Sequence, residues 1–399
     1  MDSDFQHCIR CTICVENCPV FTVNPEFPGP KQAGPDTERF RCDDEKSIDT
    51  WIRLCSQCKR CEVSCPYGVS PADIILKEQL RYSETHFRPL TALLFARTHA
   101  LGAVASLVTP LVNRAASLRL VKYILRLFGM STYMPLPEYR FHTLDRSRRR
   151  KGKRKSPRKV VFFYGCYLNY NRPDIGRGIR DLLVSFGLRV VMPKQVCCGL
   201  PALGNSDFDK ARRYALKNAA VLADYIDEGY DVIYACTSCG LTLTHDYPGI
   251  LNVPEGKKIA ENTYNLHEYI LKLMDEEYLK LDFKPVRRRV AYHIPCHLRA
   301  LGIGYPAALL FEKIPGLEQT ILEDTCCGLA GSYGFKKKNS ATAMELGKIA
   351  AAALQATAPN AIVADCGACR MQLQHFTRLP ALDPSEILIE SLRPKGEKP

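Results

Sequence analysis

From residue 160 onward, short apolar runs of strand length alternate with longer stretches in which apolar residues recur at helical spacing. The runs predict strands at 160–164, 189–192, 232–235, 290–293, 320–322 and 361–364. The longer stretches predict helices at 175–186, 208–226, 307–314 and 341–355. Strands that alternate with helices in this way are typical of α/β units with parallel sheets.

The first 83 residues show a different pattern, in which helical spacing dominates and no strand is predicted. Residues 72–82 are predicted to form a helix. Residues 37–55 also have helical spacing, and their apolar side chains are expected to face the cysteines described below; these are Phe40, Ile48, Trp51 and Leu54. Residues 24–36 are rich in proline and glycine, which predicts a fixed loop without regular structure. We therefore expect residues 1–83 to form an all-α domain.

Between these two parts, residues 84–145 are apolar and basic, with no acidic residue from Phe87 to Leu136. No run reaches the ~18 uninterrupted apolar residues that a membrane-spanning helix needs. Residues 118–128 predict an amphipathic helix with Arg119, Lys122 and Arg126 outside its apolar face. Such a helix can lie in a membrane interface or pack against the protein's own core. We expect a basic amphipathic segment with possible membrane contact.

The formal net charge of +13 is concentrated in residues 146–159, where ten of fourteen residues are basic. A block of like charges repels itself, so we expect an exposed, flexible linker. It could contact nucleic acid or an anionic membrane, or simply be solvated. No base-reading module is recognisable, so a nucleic-acid partner is not expected. The predicted domains are therefore 1–83, 84–145, the linker 146–159, 160–285 and 286–399.

Nineteen cysteines change this picture. The N-terminus lacks the basic start and apolar core of a signal peptide, which favours a reducing cytoplasm and metal-bound thiolates over disulfides. Two runs share the spacing C-x2-C-x2-C-x3-C-P, in which the fourth cysteine turns toward the other cluster. One predicted [4Fe–4S] cluster has the ligands Cys8, Cys11, Cys14 and Cys65. The other has Cys55, Cys58, Cys61 and Cys18. Paired zinc sites are the alternative.

The second half of the chain is an internal duplication with an offset of 129 to 130 residues between matching cysteines. The first copy contains Cys166, Cys197, Cys198, Cys236 and Cys239. The second contains Cys296, Cys326, Cys327, Cys366 and Cys369. Because sites in open α/β sheets form at the carboxyl ends of strands, each set of five is predicted to converge on a cluster. A zinc site with a spare thiol, or a redox disulfide, remains an alternative. Cys42 belongs to no set and is predicted to be a free thiol.

The pattern Cys, Cys-Cys-Gly and C-x2-C resembles the cysteine-rich (CCG) domain of heterodisulfide reductase, whose members bind a noncubane [4Fe–4S] cluster through five such cysteines. Over nearly its whole length the chain is similar to iron–sulfur subunits of quinone-linked dehydrogenases. It resembles in particular the C-subunit family of anaerobic glycerol-3-phosphate dehydrogenase. The motifs that carry this resemblance include 8–14, 28–36, 58–63, 246–253 and 331–337.

This resemblance implies an electron-transfer subunit with two [4Fe–4S] clusters and one or two further noncubane clusters. Its partners would be flavoprotein dehydrogenase subunits, a catalytic dimer that oxidises sn-glycerol 3-phosphate, and its acceptor menaquinone. The implied location is peripheral, at the cytoplasmic face of the bacterial inner membrane. The iron–sulfur subunit of a glycolate or lactate oxidase and a thiol–disulfide oxidoreductase are the alternatives.

One prediction agrees with this resemblance but rests on the residues alone. There is no G-x-G-x-x-G after a predicted strand, so neither flavin nor NAD is expected in this chain, and no catalytic residue is nominated. Histidines lie near the predicted sites, but complete cysteine sets favour core roles for them over ligation. These histidines are His245, His267, His293 and His297.

Overall fold

The computed structural model describes residues 5–41, 50–147 and 156–393. Cys42 and most of the predicted linker, residues 148–155, lie outside the described residues. The expectations for that thiol and for that part of the linker therefore stay predictions.

The N-terminal part is helical, and its helices are short. It contains the 3-10 turns Phe5–His7 and Trp51–Leu54 and the helices α1 Ile13–Glu16, α2 Pro19–Val23, α3 Thr37–Arg41, α4 Arg60–Val63 and α5 Pro71–Thr85. The two cysteine runs follow the same backbone path. Positive φ angles occur at Arg10 and Thr12 in the first run and at Gln57 and Lys59 in the second. Such left-handed residues curl the chain tightly, which brings successive cysteines to one side.

Two details of the N-terminal prediction are wrong. The proline-rich segment is not irregular throughout, because Gln32–Asp36 forms a wide helical turn, kinked at Gly34, that leads into α3. At that kink, the Cβ of any larger residue would lie 3.1 Å from the carbonyl oxygen of Pro71, so glycine allows the close approach. Phe40 does not face the cysteines, since its side chain is 75% exposed, whereas Ile52 is fully buried.

Four helices follow, which we call the helical layer: α6 Leu90–Ala96, α7 Thr98–Leu107, α8 Thr109–Ser117 and α9 Arg119–Leu127. Among the described residues, none of the helices is by itself long and apolar enough to cross a membrane. Helices α6 and α7, bent by 77° at their junction, together meet that criterion of length and composition. Helix α9 buries none of its side chains.

The first repeat is an α/β unit. Its elements are β1 Lys159–Phe163, α10 Gly165–Tyr170, α11 Pro173–Ser185, β2 Arg189–Val191, α12 Leu200–Leu203, α13 Phe208–Asp227, β3 Asp231–Tyr234, α14 Thr237–Leu241, α15 Tyr247–Gly249, α16 Gly256–Glu261, β4 Thr263–Asn265 and α17 Leu266–Asp275. Its four strands are parallel in the order β2-β1-β3-β4. Val161 and Phe163 pack in one core, while Val160 and Phe162 pack in another on the opposite face. Burial on both faces explains why β1 is a continuous apolar run.

The second repeat has the same strand order, β6-β5-β7-β8, and its strands are also parallel. Its elements are β5 Arg288–His293, α18 Cys296–Leu301, α19 Pro306–Phe311, β6 Leu317–Leu322, α20 Ser340–Ala356, β7 Ala361–Val363, α21 Gly367–Thr377, β8 Ala381–Leu382 and α22 Pro384–Ser391. The predicted strands are present in both repeats. Strands β4 and β8 were not predicted, because Thr263–Asn265 and Ala381–Leu382 do not form apolar runs of strand length.

The two repeats pack against each other reciprocally. Helix α11 packs on α22, and the equivalent pair α19 and α17 also packs. Tyr167, which follows Cys166, lies against Gly367 of the second repeat. His297, which follows Cys296, hydrogen-bonds to Ser238 of the first. Because equivalent contacts are made in both directions, the two repeats are related by an approximate two-fold axis, and their cysteine sets face each other.

Candidate metal centres

Cys8, Cys11, Cys14 and Cys65 line one cavity in the N-terminal part. Three of them come from the first run and the fourth from the end of the second run, as predicted. Burial raises the pKa of the Cys14 thiol to about 11, and the nearby sulfurs of Cys8, Cys65 and Cys11 contribute to this rise. These thiols are therefore crowded around a common centre.

The second cavity is lined by the other predicted four, Cys18, Cys55, Cys58 and Cys61. Burial raises the pKa of Cys18 to about 12, and the neighbouring sulfur of Cys58 makes a smaller contribution. Cys14 of the first set and Cys61 of the second pack in the same small apolar cluster. The two sets are consequently neighbours.

Both sets fit a [4Fe–4S] group. Four thiols that crowd one cavity are electrostatically costly as thiolates unless a positive group neutralises them, and iron provides that charge. The buried ammonium of Lys59 does not serve this purpose, because it pairs with the carboxylates of Glu62 and Asp73.

In the first repeat, the five cysteines come from three strand ends. Cys166 follows β1, Cys197 and Cys198 follow β2, and the remaining two, Cys236 and Cys239, follow β3. The sulfurs of Cys166 and Cys197 are 3.8 Å apart, and hydrogen bonds link Cys198 to Cys239 and Cys239 to Cys236. The structure thus brings all five together at the carboxyl edge of the sheet.

The second repeat gathers its five cysteines in the same way. The sulfurs of Cys369 and Cys327 are 3.2 Å apart, and the Cys296 thiol is hydrogen-bonded to Cys326. A hydrogen bond from Cys369 lowers the pKa of Cys366 to about 6. Buried thiols that share protons in this way form a donor set that suits a multinuclear iron–sulfur group better than a single tetrahedral ion, which uses four ligands.

His293 lies close enough to Cys327 and Cys369 for the three to share one metal ion. Its Nδ1 is 2.7 Å from the Thr325 hydroxyl, and burial lowers its pKa to about 4. The neutral imidazole and its hydroxyl partner fit the core role that the sequence favoured.

The four cysteine sets form a continuous series. The Cys58 thiol of the N-terminal part donates a hydrogen bond to Cys296 of the second repeat. The Ser238 hydroxyl, between the paired cysteines of the first repeat, lies 3.9 Å from the Cys366 sulfur of the second. The spatial order is therefore first N-terminal set, second N-terminal set, second repeat, first repeat.

A buried cluster of charges joins the N-terminal part to the first repeat. His245 Nε2 lies 2.9 Å from the Asp73 carboxylate and 3.0 Å from the Lys59 ammonium. The hydrogen bond to Asp73 raises the pKa of His245. Glu62, Asp73 and His245 could together hold a cation, but the Lys59 ammonium already contacts each of them.

Sequence reasoning missed residues that contact a cysteine set from a neighbouring part of the chain. Gln57, Ser238 and Thr98 carry no metal-ligand signal of their own. The first two lie inside C-x2-C pairs, so their position was the available clue. Thr98 lies far from any cysteine in sequence, yet its hydroxyl is 3.8 Å from the Cys197 sulfur.

Comparison with protein families agrees with this organisation. A 4Fe-4S dicluster domain matches residues 4–69, and a Cysteine-rich domain matches residues 160–244 and 290–374. These matches identify an iron–sulfur protein with a duplicated second half.

Several proteins are similar to this chain. The B-subunit of fumarate reductase (CoM/CoB) from Methanothermobacter marburgensis is 28% identical over 92% of this chain and 67% of its own length. Lactate utilization protein A of Geobacillus kaustophilus is 30% identical over 52% of this chain and 87% of its own. A crystal structure of a hypothetical protein from Helicobacter pylori superimposes with a TM-score of 0.43 and 12% identity, over 91% of this chain and 75% of that one.

The C-subunit of anaerobic glycerol-3-phosphate dehydrogenase from Escherichia coli strain K12 is 36% identical over 397 residues. The alignment spans 98% of this chain and 99% of that protein, so it includes the N-terminal part, the helical layer and both repeats. The chain therefore belongs to the C-subunit family of anaerobic glycerol-3-phosphate dehydrogenase.

Proposed function

We propose that this chain is the electron-transfer subunit of an anaerobic glycerol-3-phosphate dehydrogenase complex. Two [4Fe–4S] clusters would be bound by Cys8, Cys11, Cys14 and Cys65 and by Cys18, Cys55, Cys58 and Cys61. One further cluster would be bound by the five cysteines of each repeat. Each cluster, when bound, would accept and release one electron at a time.

The observation that carries this proposal is the continuous series of four cysteine sets. Direct side-chain contacts connect the Cys58 sulfur to Cys296 and the Ser238 hydroxyl to Cys366. The protein's own residues hold the sets close together. A single reductase site would not require four adjoining sets.

Electrons would enter at the first N-terminal set, from a flavoprotein partner. Cys11 of this set is exposed, and apolar side chains surround it on the surface. Ile9 is 58% exposed, and Ile13, Val63 and Tyr67 are exposed as well. An exposed apolar patch of this kind is typical of a protein–protein contact, and it lies over the end of the series.

The helical layer would attach the complex to the cytoplasmic face of the membrane, where menaquinone is the acceptor. Leu120 and Leu127 of α9 are 69% and 68% exposed, and Arg119 and Arg126 are exposed on the same helix. An apolar face bordered by basic side chains matches the interface of an anionic bilayer.

The proposed series of four clusters, which we call the relay, is tested by anaerobic purification followed by metal analysis and EPR spectroscopy. We expect iron and acid-labile sulfide in every cysteine set, and signals that show magnetic interaction between neighbouring clusters. Reduction by the flavoprotein partner, supplied with excess glycerol 3-phosphate, should reach all the clusters. Zinc in place of iron, or clusters that the partner cannot reduce, would refute the proposal.

Membrane attachment is tested with vesicles that contain anionic phospholipid. The double variant Leu120→Glu/Leu127→Glu should lose binding, because it places charges on the apolar face. Leu309→Glu is the matched control, since Leu309 is 50% exposed on α19 of the second repeat. If both variants bind like the unmodified chain, the layer is not the attachment surface.

A further inference from the structure

The two repeats are equivalent, but different parts of the chain cover their cysteine sets. In the second repeat, the covering segment is the N-terminal loop that contains Gln57 and Cys58, which contact His297 and Cys296. In the first repeat, the covering segment is the junction between α6 and α7 of the helical layer. The second repeat is therefore joined to the preceding cysteine set, and the first repeat is joined to the apolar surface.

Three contacts define this junction. The Thr98 hydroxyl lies 3.8 Å from the sulfur of Cys197. His99 Nδ1 lies 3.2 Å from the Tyr170 hydroxyl, and its ring also packs against Tyr214. The backbone of α7 approaches so closely that a Cβ at Gly102 would lie 2.4 Å from the Tyr170 ring. A polar histidine–tyrosine pair is thus fixed beside a cysteine set.

The outer side of the same two helices is apolar. Leu94, Leu101 and Leu107 are exposed, and Val104 is 64% exposed. His99 itself is half-buried, at the end of α7 that begins this surface. The bend of 77° between α6 and α7 places the polar pair at the point where the apolar surface meets the first repeat.

We propose that a lipid-soluble quinone binds at this junction, with a ring carbonyl hydrogen-bonded by the His99–Tyr170 pair and its isoprenoid tail along the apolar outer side of α6 and α7. The inference rests on the proposed function and names the site at which electrons leave the chain. A quinone carbonyl accepts hydrogen bonds, and its tail requires an apolar surface. The junction provides a hydrogen-bonding pair and an apolar surface directly beside Cys197.

The reaction at this site balances without a further reactant. The relay supplies two electrons, one at a time, and the solvent supplies two protons. Both carbonyl groups of the quinone become hydroxyl groups, and the flavoprotein partner's substrate is the electron donor. His99 and Tyr170 orient the ring against the first repeat.

The second repeat provides an internal control. His375 packs against Tyr133, and Tyr133 hydrogen-bonds to Gln372. This pair also contains a histidine and a tyrosine, but it lies beside the repeat that the N-terminal loop already covers. A quinone that bound at the second repeat would depend on His375.

The test uses the complete complex with its flavoprotein partner and a short-chain menaquinone analogue as acceptor. His99→Leu and Tyr170→Phe should each raise KM for the analogue at least tenfold. The same variants should reduce a water-soluble dye that accepts electrons from the relay at the unmodified rate. His375→Leu should change neither value. Loss of quinone and dye reduction together would indicate a broken relay and would contradict the proposed function.

A binding measurement separates a quinone site from an indirect effect. A photoreactive quinone should label residues 97–102 or 170 in the unmodified complex, and His99→Leu should abolish that labelling. Addition of the analogue should also alter the EPR signal of the first repeat but not that of the N-terminal clusters. Unchanged KM in both variants, or labelling beside Tyr133, would overturn the assignment.

Discussion

The Ser238 hydroxyl lies 2.9 Å from Nδ1 of His297, and the opposite ring nitrogen, Nε2, lies 3.3 Å from the carbonyl oxygen of Gln57. Because a carbonyl only accepts, Nε2 carries the proton and Nδ1 accepts from the serine. Burial lowers the pKa of His297 to about 4, so the ring is neutral near pH 7. One imidazole therefore joins the N-terminal part to both repeats.

His297→Leu should loosen this three-way junction. The variant leaves the Ser238 hydroxyl and the Gln57 carbonyl without their partner, which costs about 1–3 kcal/mol of unfolding free energy. Amide hydrogen exchange should accelerate at residues 55–58 and 237–240, while the iron content stays the same. Ser238→Ala, which removes one of the two hydrogen bonds, should give a smaller effect. Equal protection in all three proteins would contradict the role of the histidine.

Cys58→Ala should remove the cluster of the second N-terminal set. We expect about four iron atoms fewer per chain, because a [4Fe–4S] cluster with three remaining thiolates is labile. Iron analysis and EPR spectroscopy measure the loss. Cys42→Ala is the matched control and should retain all the iron, since Cys42 belongs to no predicted set. A loss of iron in the control would mean that the ligand assignment is incomplete.

Gly165→Ala should disturb the first repeat's cluster through a steric effect. Gly165 has a φ of +62°, and an added Cβ would lie 2.8 Å from the Cys239 sulfur. Gly302→Ala is the control, because Gly302 has a φ of +68° and no atom within 4 Å of the added Cβ. Both variants should lose about 1–2 kcal/mol from the left-handed backbone, but only the first should lose iron. Equal iron content in the two would exclude the contact as the cause.

The cysteine spacing predicted much of the arrangement within each set. The chain cannot place Cys8, Cys11 and Cys14 far apart, and the duplication implied that Cys166 and Cys296 occupy equivalent strand ends. The structure brings each predicted set together, and the parallel α/β repeats are confirmed. Binding of a particular cluster by a particular set stays a prediction.

The relationships between sets could not be predicted. Cys58 and Cys296 are joined by packing of α4 on α18, and no local pattern encodes which repeat receives the N-terminal loop. Strands β4 and β8 were missed because neighbouring strands, rather than their own sequence period, hold them in the sheet. Phe40 was wrongly predicted to face the cysteines, because helical spacing does not reveal which face of a short helix packs against the rest of the protein.

His267→Leu should reduce the dependence of stability on pH. Burial lowers the pKa of His267 to about 4, and neither ring nitrogen has a hydrogen-bond partner among the described residues. The unfolded chain takes up a proton near pH 6.5 and the folded chain does not, so the unfolded state binds more protons between these values. Stability is therefore fully present above pH 6.5 and falls as the pH approaches 4.

At pH 5 this histidine should cost about 2 kcal/mol of unfolding free energy relative to pH 8. Anaerobic urea denaturation at several pH values measures the effect, and the leucine variant should lack that part of the decline. His86→Leu is the control, because His86 is exposed. An identical decline in all three proteins would show that His267 does not contribute.

The order of the cysteine sets in space differs from their order along the gene. The last-encoded part of the chain, beginning near residue 286, lies between the N-terminal loop at Cys58 and the first repeat at Ser238. A stop codon near residue 285 would therefore leave the two ends of the series intact and remove its middle. Late frameshifts in such a gene should therefore interrupt electron transfer as completely as early ones.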